Sequence, residues 1–189
     1  MTARAQFEHI LQRSRVWKYK VLSSCEDVSG SPTLFQPVLF LGKGSIVIHG
    51  TVEFGWPTSV GFYDGYSHVE AASPGAVIEF CDGAQVNNSA FIKSEGPGIR
   101  IGRQALIGSH VKIFDSDFHE LRPDRRRGGV PRMGAVELGE NVFIGDGSII
   151  LKGVTIGRDS VVGAGSVVVS PIPEGVVAAG NPARVVREL

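Results

Sequence analysis

From residue 138 onward the chain places a branched apolar residue at every sixth position: Leu138, Ile144, Ile150, Ile156, Val162 and Val168. A small or β-branched residue follows four positions after the first five of these, at Val142, Ser148, Val154, Ser160 and Ser166. The same frame runs upstream through Phe80, Val86 and Ile92, and through Ile101, Ile107 and Ile113, with a fainter copy at Leu41 and Val47. A period of six fits neither the 3.6-residue helix nor a long alternating strand. It predicts short strands, each closed by a tight turn and each sending one apolar side chain inward, with the following glycine serving the turn. Three strands per coil build a triangular prism in which equivalent strands of successive coils pair and aliphatic layers stack as a core. The fold class is therefore all-β, a parallel β-helix, and residues 38–173 leave room for about eight coils less the interruptions.

The flanks read differently. Residues 3–22 predict an amphipathic helix, with Phe7, Ile10, Leu11, Trp17, Val21 and Leu22 separated by charges. Its expected place is over the open end of the prism, where core and strand edge would otherwise be exposed; the other reading is a surface for partners. Residues 1–37 thus form a helix and linker, 38–173 the β-helix domain and 174–189 a terminal segment. The stretch 54–76 is irregular and aromatic, which predicts distorted coils there.

The frame fails at one informative place. Counting on from Ile107 and Ile113, the next inward position is His119. A histidine in an aliphatic stack would be buried without a partner, at a cost of a few kcal/mol. The chain is expected to leave the prism there and eject a loop near residues 120–135, which carries Arg122, Arg125, Arg126, Arg127 and Arg132. An excursion of that length in a compact repeat points to function or disorder. His119 sits in Asp115-Ser116-Asp117-Phe118-His119, where carboxylates are able to orient an imidazole and raise its basicity.

Composition narrows the partners. Nineteen basic and nineteen acidic residues balance, so no overall field favours nucleic acid. Two cysteines, Cys25 and Cys81, make no disulfide framework and suit a reducing compartment. No apolar run approaches the roughly 20 residues of a membrane span, and the N-terminal stretch lacks the apolar segment of a secretory signal. A cytoplasmic location is expected.

Three segments together carry a resemblance: the hexapeptide frame, the acidic segment ending in His119 before an ejected loop, and Pro171-Ile172-Pro173 followed by Gly180-Asn181-Pro182-Ala183-Arg184-Val185-Val186-Arg187. They resemble the hexapeptide-repeat acyltransferase family, above all the sugar O-acetyltransferases of bacterial surface polysaccharide synthesis and the maltose and galactoside acetyltransferases. The resemblance covers roughly residues 78–187. It implies a left-handed coil, acetyl-CoA as co-substrate, a homotrimer with sites between prisms, and His119 as general base with Asp117, or else Asp115, holding its tautomer. It implies an oxyanion-stabilising N–H at Asp146, contact of Ala164 with the pantetheine arm one coil above, and Phe143 as the aromatic beside the site. Arg184 would meet the CoA phosphates, with Lys152 and Arg187 as further candidates.

No nucleophile motif of the acyl-enzyme type is present, so direct attack is expected. Strand alternation places Asn87 on the outer wall after inward Val86, and with Asn88, Ser89 and Ser73 it is a candidate lining for a sugar or nucleotide-sugar acceptor. The alternatives are N-acetylation of an amino sugar or its nucleotide, a zinc enzyme like the carbonic-anhydrase branch of the fold, and a non-catalytic scaffold. Against zinc, only His110 and His119 lie near each other among His9, His49, His68, His110 and His119, and they lack the paired spacing.

Overall fold

The computed structural model describes residues 3–189, with side chains from Gln6 onward. The inward residues of the repeat form short strands that stack, with a terminal hairpin strand, into three sheets of six, eight and six strands, each strand two to six residues long. The first face runs from Asp27–Ser29 through Ser45–Ile48, Val77–Phe80, Ile99–Ile101 and Val136–Leu138 to Thr155–Ile156. The second runs from Thr33–Leu34 through Glu53–Phe54, Gln85–Val86, Leu106–Ile107 and Phe143–Ile144 to Val161–Val162 and Val176–Gly180. The third runs from Val38–Gly42 through Ser67–Ala71, Phe91–Ser94 and Lys112–Phe114 to Ile149–Ile150 and Val167–Val168. All these pairings are parallel, and Ile107, Ile144 and Val162 stand in register up one face.

From Phe80 onward the periodic residues are the core: Ile101, Ile113, Leu138, Ile144, Ile150, Ile156, Val162 and Val168 are all fully buried. The fainter copy is out of step: Leu41 and Val47 are only half-buried, and Phe40, Ile46 and Ile48 fill the core instead. The serines in the frame are buried as well. Their hydroxyls find corner carbonyls, Ser160 Oγ donating to Pro173 O at 2.7 Å and Ser166 Oγ to Gly163 O at 2.6 Å, so no polar group is left unpaired there.

The six strands of the first and third faces make six complete coils, where the period alone allowed about eight. Residues 23–37, read as linker, already contain the strands Asp27–Ser29 and Thr33–Leu34 of the first coil. Two excursions, over 55–66 and 115–135, take up the remaining length. The terminal segment is no loose tail, because Val176–Gly180 extends the second face and Ala183–Glu188 folds back antiparallel upon it.

The helix spans Ala3–Leu22 and packs against Val38–Gly42 of the first coil. It does so with its polar side, contrary to the expected apolar cap. Gln12 donates to the carbonyls of Phe35 and Phe62, and Arg15 to those of Phe62, Asp64 and Gly65. The irregular excursion 55–66 presents backbone carbonyls outside any sheet ladder, and such groups demand donors. Polar side chains supply them, which turns the apolar side of the helix outward.

Candidate active site

The candidate residues fall on two edges of the prism. One edge is made by the turns that join the second face to the third. There the outward column Gln85, Leu106, Phe143 and Val161 runs in register up the second face. A cleft of about 300 Å³ opens beside it, lined by Trp56, Ser59, Asn87, Leu106, Phe143 and Asp146 among others. Three residues read from the sequence, Asn87, Phe143 and Asp146, therefore share one cleft.

The turn around Asp146 is tightly built. Its Oδ1 accepts from the Ser109 N–H at 2.7 Å, and a side chain at Gly108 would collide with Asp146. Gly165 donates to Asp146 O at 2.8 Å, and a Cβ at Gly145 would lie within 2.5 Å of Ala164 N. Ala164 thus stands directly over the Asp146 turn, one coil on. Among the described residues no backbone carbonyl accepts from the N–H of Asp146 or Ala164, which leaves two main-chain donors on this edge.

Asn87 and Asn88 divide the work of the next turn. Asn88 is fully buried and bonds Trp56 N and the carbonyls of Trp56, Ser59 and Val60. It holds the excursion 55–66 in place and is not a wall of the cleft. Asn87 donates to Ser59 Oγ at 2.9 Å. Ser89 has φ 60 and donates its N–H to Gln36 Oε1. The sequence reading missed Trp56 and Ser59, because nothing in the hexapeptide frame says where an excursion folds back. Gln85 and Leu106 were legible as the outward neighbours of Val86 and Ile107.

The other edge joins the third face back to the first. Here the strand Lys112–Phe114 ends and the chain leaves the prism, five residues before the frame position at 119. Asp115 does not orient His119. It is fully buried and accepts from Ser94 Oγ, Glu95 N, Gly96 N and Gly98 N, so it pins the turn of the coil below. The loop root is closed by a Ser116–Met133 bridge and by Asp117 N donating to Arg132 O. Asp117 Oδ1 lies 2.6 Å from Lys152 Nζ, so Lys152 is engaged at the loop root. Asp117 Oδ2 is buried with no partner among the described residues.

Phe118 adopts φ 62, an unusual state for a bulky residue, and is held by edge-to-face packing on Phe114 with ring centroids 5.2 Å apart and by Lys93 over its ring. His119 follows, exposed, and makes no hydrogen bond or ion pair among the described residues. The five loop arginines are exposed too. Ser73, expected near Asn87, lies on this edge instead and donates to Glu95 O at 2.7 Å. Arg184 is exposed on the terminal hairpin, paired with Ala179. His110 lies on the first edge and His119 on the second, and among the described residues no three His, Cys, Asp or Glu side chains group as a metal site.

Residues 135–170 match the family model for the bacterial transferase hexapeptide, six repeats. Over these residues the chain carries the repeat that this family model describes. Over 91 residues it is 43% identical to a galactoside O-acetyltransferase of Lactococcus lactis, a match covering 48% of this chain and 44% of that protein. The galactoside O-acetyltransferase of Escherichia coli is 42% identical over 91 residues, with the same coverage of 48% and 44%. The chain spans about half the length of the curated relatives it matches. Among solved structures, a polysialic acid O-acetyltransferase aligns with a TM-score of 0.64 at 21% identity, covering 86% of this chain and 83% of that one. The likeness extends the left-handed β-helix fold over most of the hexapeptide-repeat chain. The matched repeats 135–170 include Phe143, Asp146, Lys152 and Ala164, and lie wholly downstream of His119.

Proposed function

We propose that this chain transfers acetyl from acetyl-CoA to a hydroxyl of a sugar, with His119 as general base. The observation that carries the reading is the shared cleft: Asn87, Phe143 and the unpaired N–H of Asp146 meet there, with the N–H of Ala164 one coil above. Its relatives named as galactoside O-acetyltransferases support the choice of acyl group and of acceptor class.

In this reading the N–H of Asp146 stabilises negative charge developing on the thioester oxygen, and that of Ala164 steadies the pantetheine amide. Phe143 and Leu106 form the apolar floor, and Asn87 hydrogen-bonds the acceptor. His119 takes the proton from the attacking hydroxyl and returns it to the departing thiolate, so acid and base are one imidazole. His119 and the cleft stand on opposite edges of the third face, and a second prism is needed to bring a histidine to the cleft. We therefore read the working form as a closed ring of copies, a trimer, in which each prism lends His119 to its neighbour. Arg184 and the loop arginines line the approach for an anionic donor or acceptor.

The test is release of free thiol from acetyl-CoA in the presence of a panel of sugars, amino sugars and nucleotide sugars. His119→Ala is expected to lower turnover by about 10²–10⁴-fold with an unchanged circular-dichroism spectrum. Near-full activity of that variant would overturn the mechanism, and a strict preference for amine acceptors would overturn the hydroxyl assignment.

A further inference from the structure

The N-terminal helix shows its apolar side to solvent. Gln12 is only 8% exposed, while Phe7, Ile10, Trp17 and Val21 are 66, 65, 67 and 63% exposed. At about 100° per residue these four positions fall in one strip about 80° wide, and at about 1.5 Å per residue the strip is about 21 Å long. Tyr19, on the inward side, stacks on Tyr66 with ring centroids 4.4 Å apart, which fixes the rotation of the helix. The outward strip is thus a consequence of anchored polar contacts and not of a loosely placed segment.

Beside the strip stand exposed basic residues, Lys18 on one flank and Arg13 and Lys20 on the other. The apolar surface continues from Trp17 into a cleft of about 560 Å³ walled by Phe35, Phe62 and Tyr63, with Arg13 and Lys20 also lining it. An apolar surface of this extent on a folded chain marks an interaction site. Its charge selects the occupant. A second copy of the helix would set Arg13, Lys18 and Lys20 against the same cations, whereas an anionic lipid surface neutralises them. Aromatic and aliphatic side chains bordered by lysine and arginine are the composition of helices that lie in the headgroup region. Among the described residues no helix is long and apolar enough to cross a membrane, so the fit is to the surface.

We propose that the helix Ala3–Leu22 is a peripheral membrane-binding element that lays Phe7, Ile10, Trp17 and Val21 into an anionic bilayer surface. The proposal does not depend on the transfer reaction, because none of these residues belongs to the cleft or the loop of the candidate site.

Co-sedimentation of the full chain with phosphatidylcholine vesicles, with and without phosphatidylglycerol, tests it. Binding is expected with the anionic vesicles, to weaken as salt rises, and to be accompanied by a blue shift of tryptophan emission that Trp17→Phe removes. Phe7→Ser with Ile10→Ser should lower vesicle affinity by about tenfold or more, with circular dichroism and acetyl transfer to a soluble acceptor unchanged. Arg13→Gln with Lys20→Gln should weaken binding to anionic vesicles alone. Failure of the wild-type chain to sediment with anionic vesicles overturns the proposal, as does full binding by the Phe7, Ile10 variant. Concentration-dependent self-association that shields Trp17 from iodide in the absence of lipid also overturns it, assigning the strip to a second copy.

Discussion

Lys152 Nζ stands 2.6 Å from Asp117 Oδ1, and this ion pair ties the root of the ejected loop to the coil above it. The side chains are 26% and 20% exposed, so the pair is screened less than a surface bridge. A single residue, Phe118, separates Asp117 from His119, and it is packed on Phe114. Under the proposed mechanism this would make Lys152 a positioning residue for His119.

Lys152→Met is expected to leave the Asp117 carboxylate partly buried and unpaired and to cost about 1–3 kcal/mol of stability. If the role is positional, kcat should fall about tenfold with little change in KM for acetyl-CoA, and Lys152→Arg should restore most of it. Were Lys152 a CoA-phosphate ligand, KM would rise and kcat would hold.

How far the sequence led can be judged from single residues. Ile101 to Val168 were readable as core because the period of six is enforced at every coil by the same layer of side chains. Ala164 over Asp146 was readable for the same reason, since eighteen residues is one turn of the prism. Asp115 was not: a carboxylate next to a histidine looks catalytic in one dimension, and only the fold reveals four donors from residues 94–98 converging on it. The helix misled by its pattern, because amphipathicity gives an apolar side without saying which way it faces. Gln12 decided that through carbonyls of residues 35 and 62, far away in sequence.

Both cysteines are expected to be inert. Burial pushes the Cys25 and Cys81 thiols above their ordinary range, and the thiolate is the reactive form. Ellman's reagent at mildly alkaline pH should react slowly with the native chain and at once after denaturation. Immediate stoichiometric reaction of the folded protein would contradict this.

Acid should remove a defined contribution on the third face. Burial alone would raise the Glu70 carboxyl, but bonds from His68 at 3.0 Å and Lys93 at 3.3 Å outweigh it and hold the group below its ordinary range. A carboxyl depressed in the folded state gives stability that is present above its unfolded pKa, about 4.3, and is lost as pH falls through the lower folded value. The difference in melting temperature between wild type and Glu70→Gln should accordingly be larger at neutral pH than below pH 4. A difference independent of pH would show that the carboxylate is not the source.

Asn87 and Asn88 are adjacent and chemically identical, and they should fail in different ways. Asn88→Ala removes the amide that bonds Trp56 N and three carbonyls of the excursion, leaving those groups unpaired in a buried place. The expected loss is about 2–3 kcal/mol, or about 5–10 °C in melting temperature for a chain of this size. Asn87→Ala gives up a bond to Ser59 Oγ and one from the Asn88 N–H, on a half-buried side chain, and should lower the melting temperature by less. If Asn87 hydrogen-bonds the acceptor as proposed, its effect should instead appear as a loss of about tenfold or more in kcat/KM for the acceptor. Measuring both variants by thermal melting and by acceptor kinetics separates the roles. Equal effects of the two on both measurements would mean that Asn87, like its neighbour, serves only to hold the excursion, and that the acceptor is recognised elsewhere.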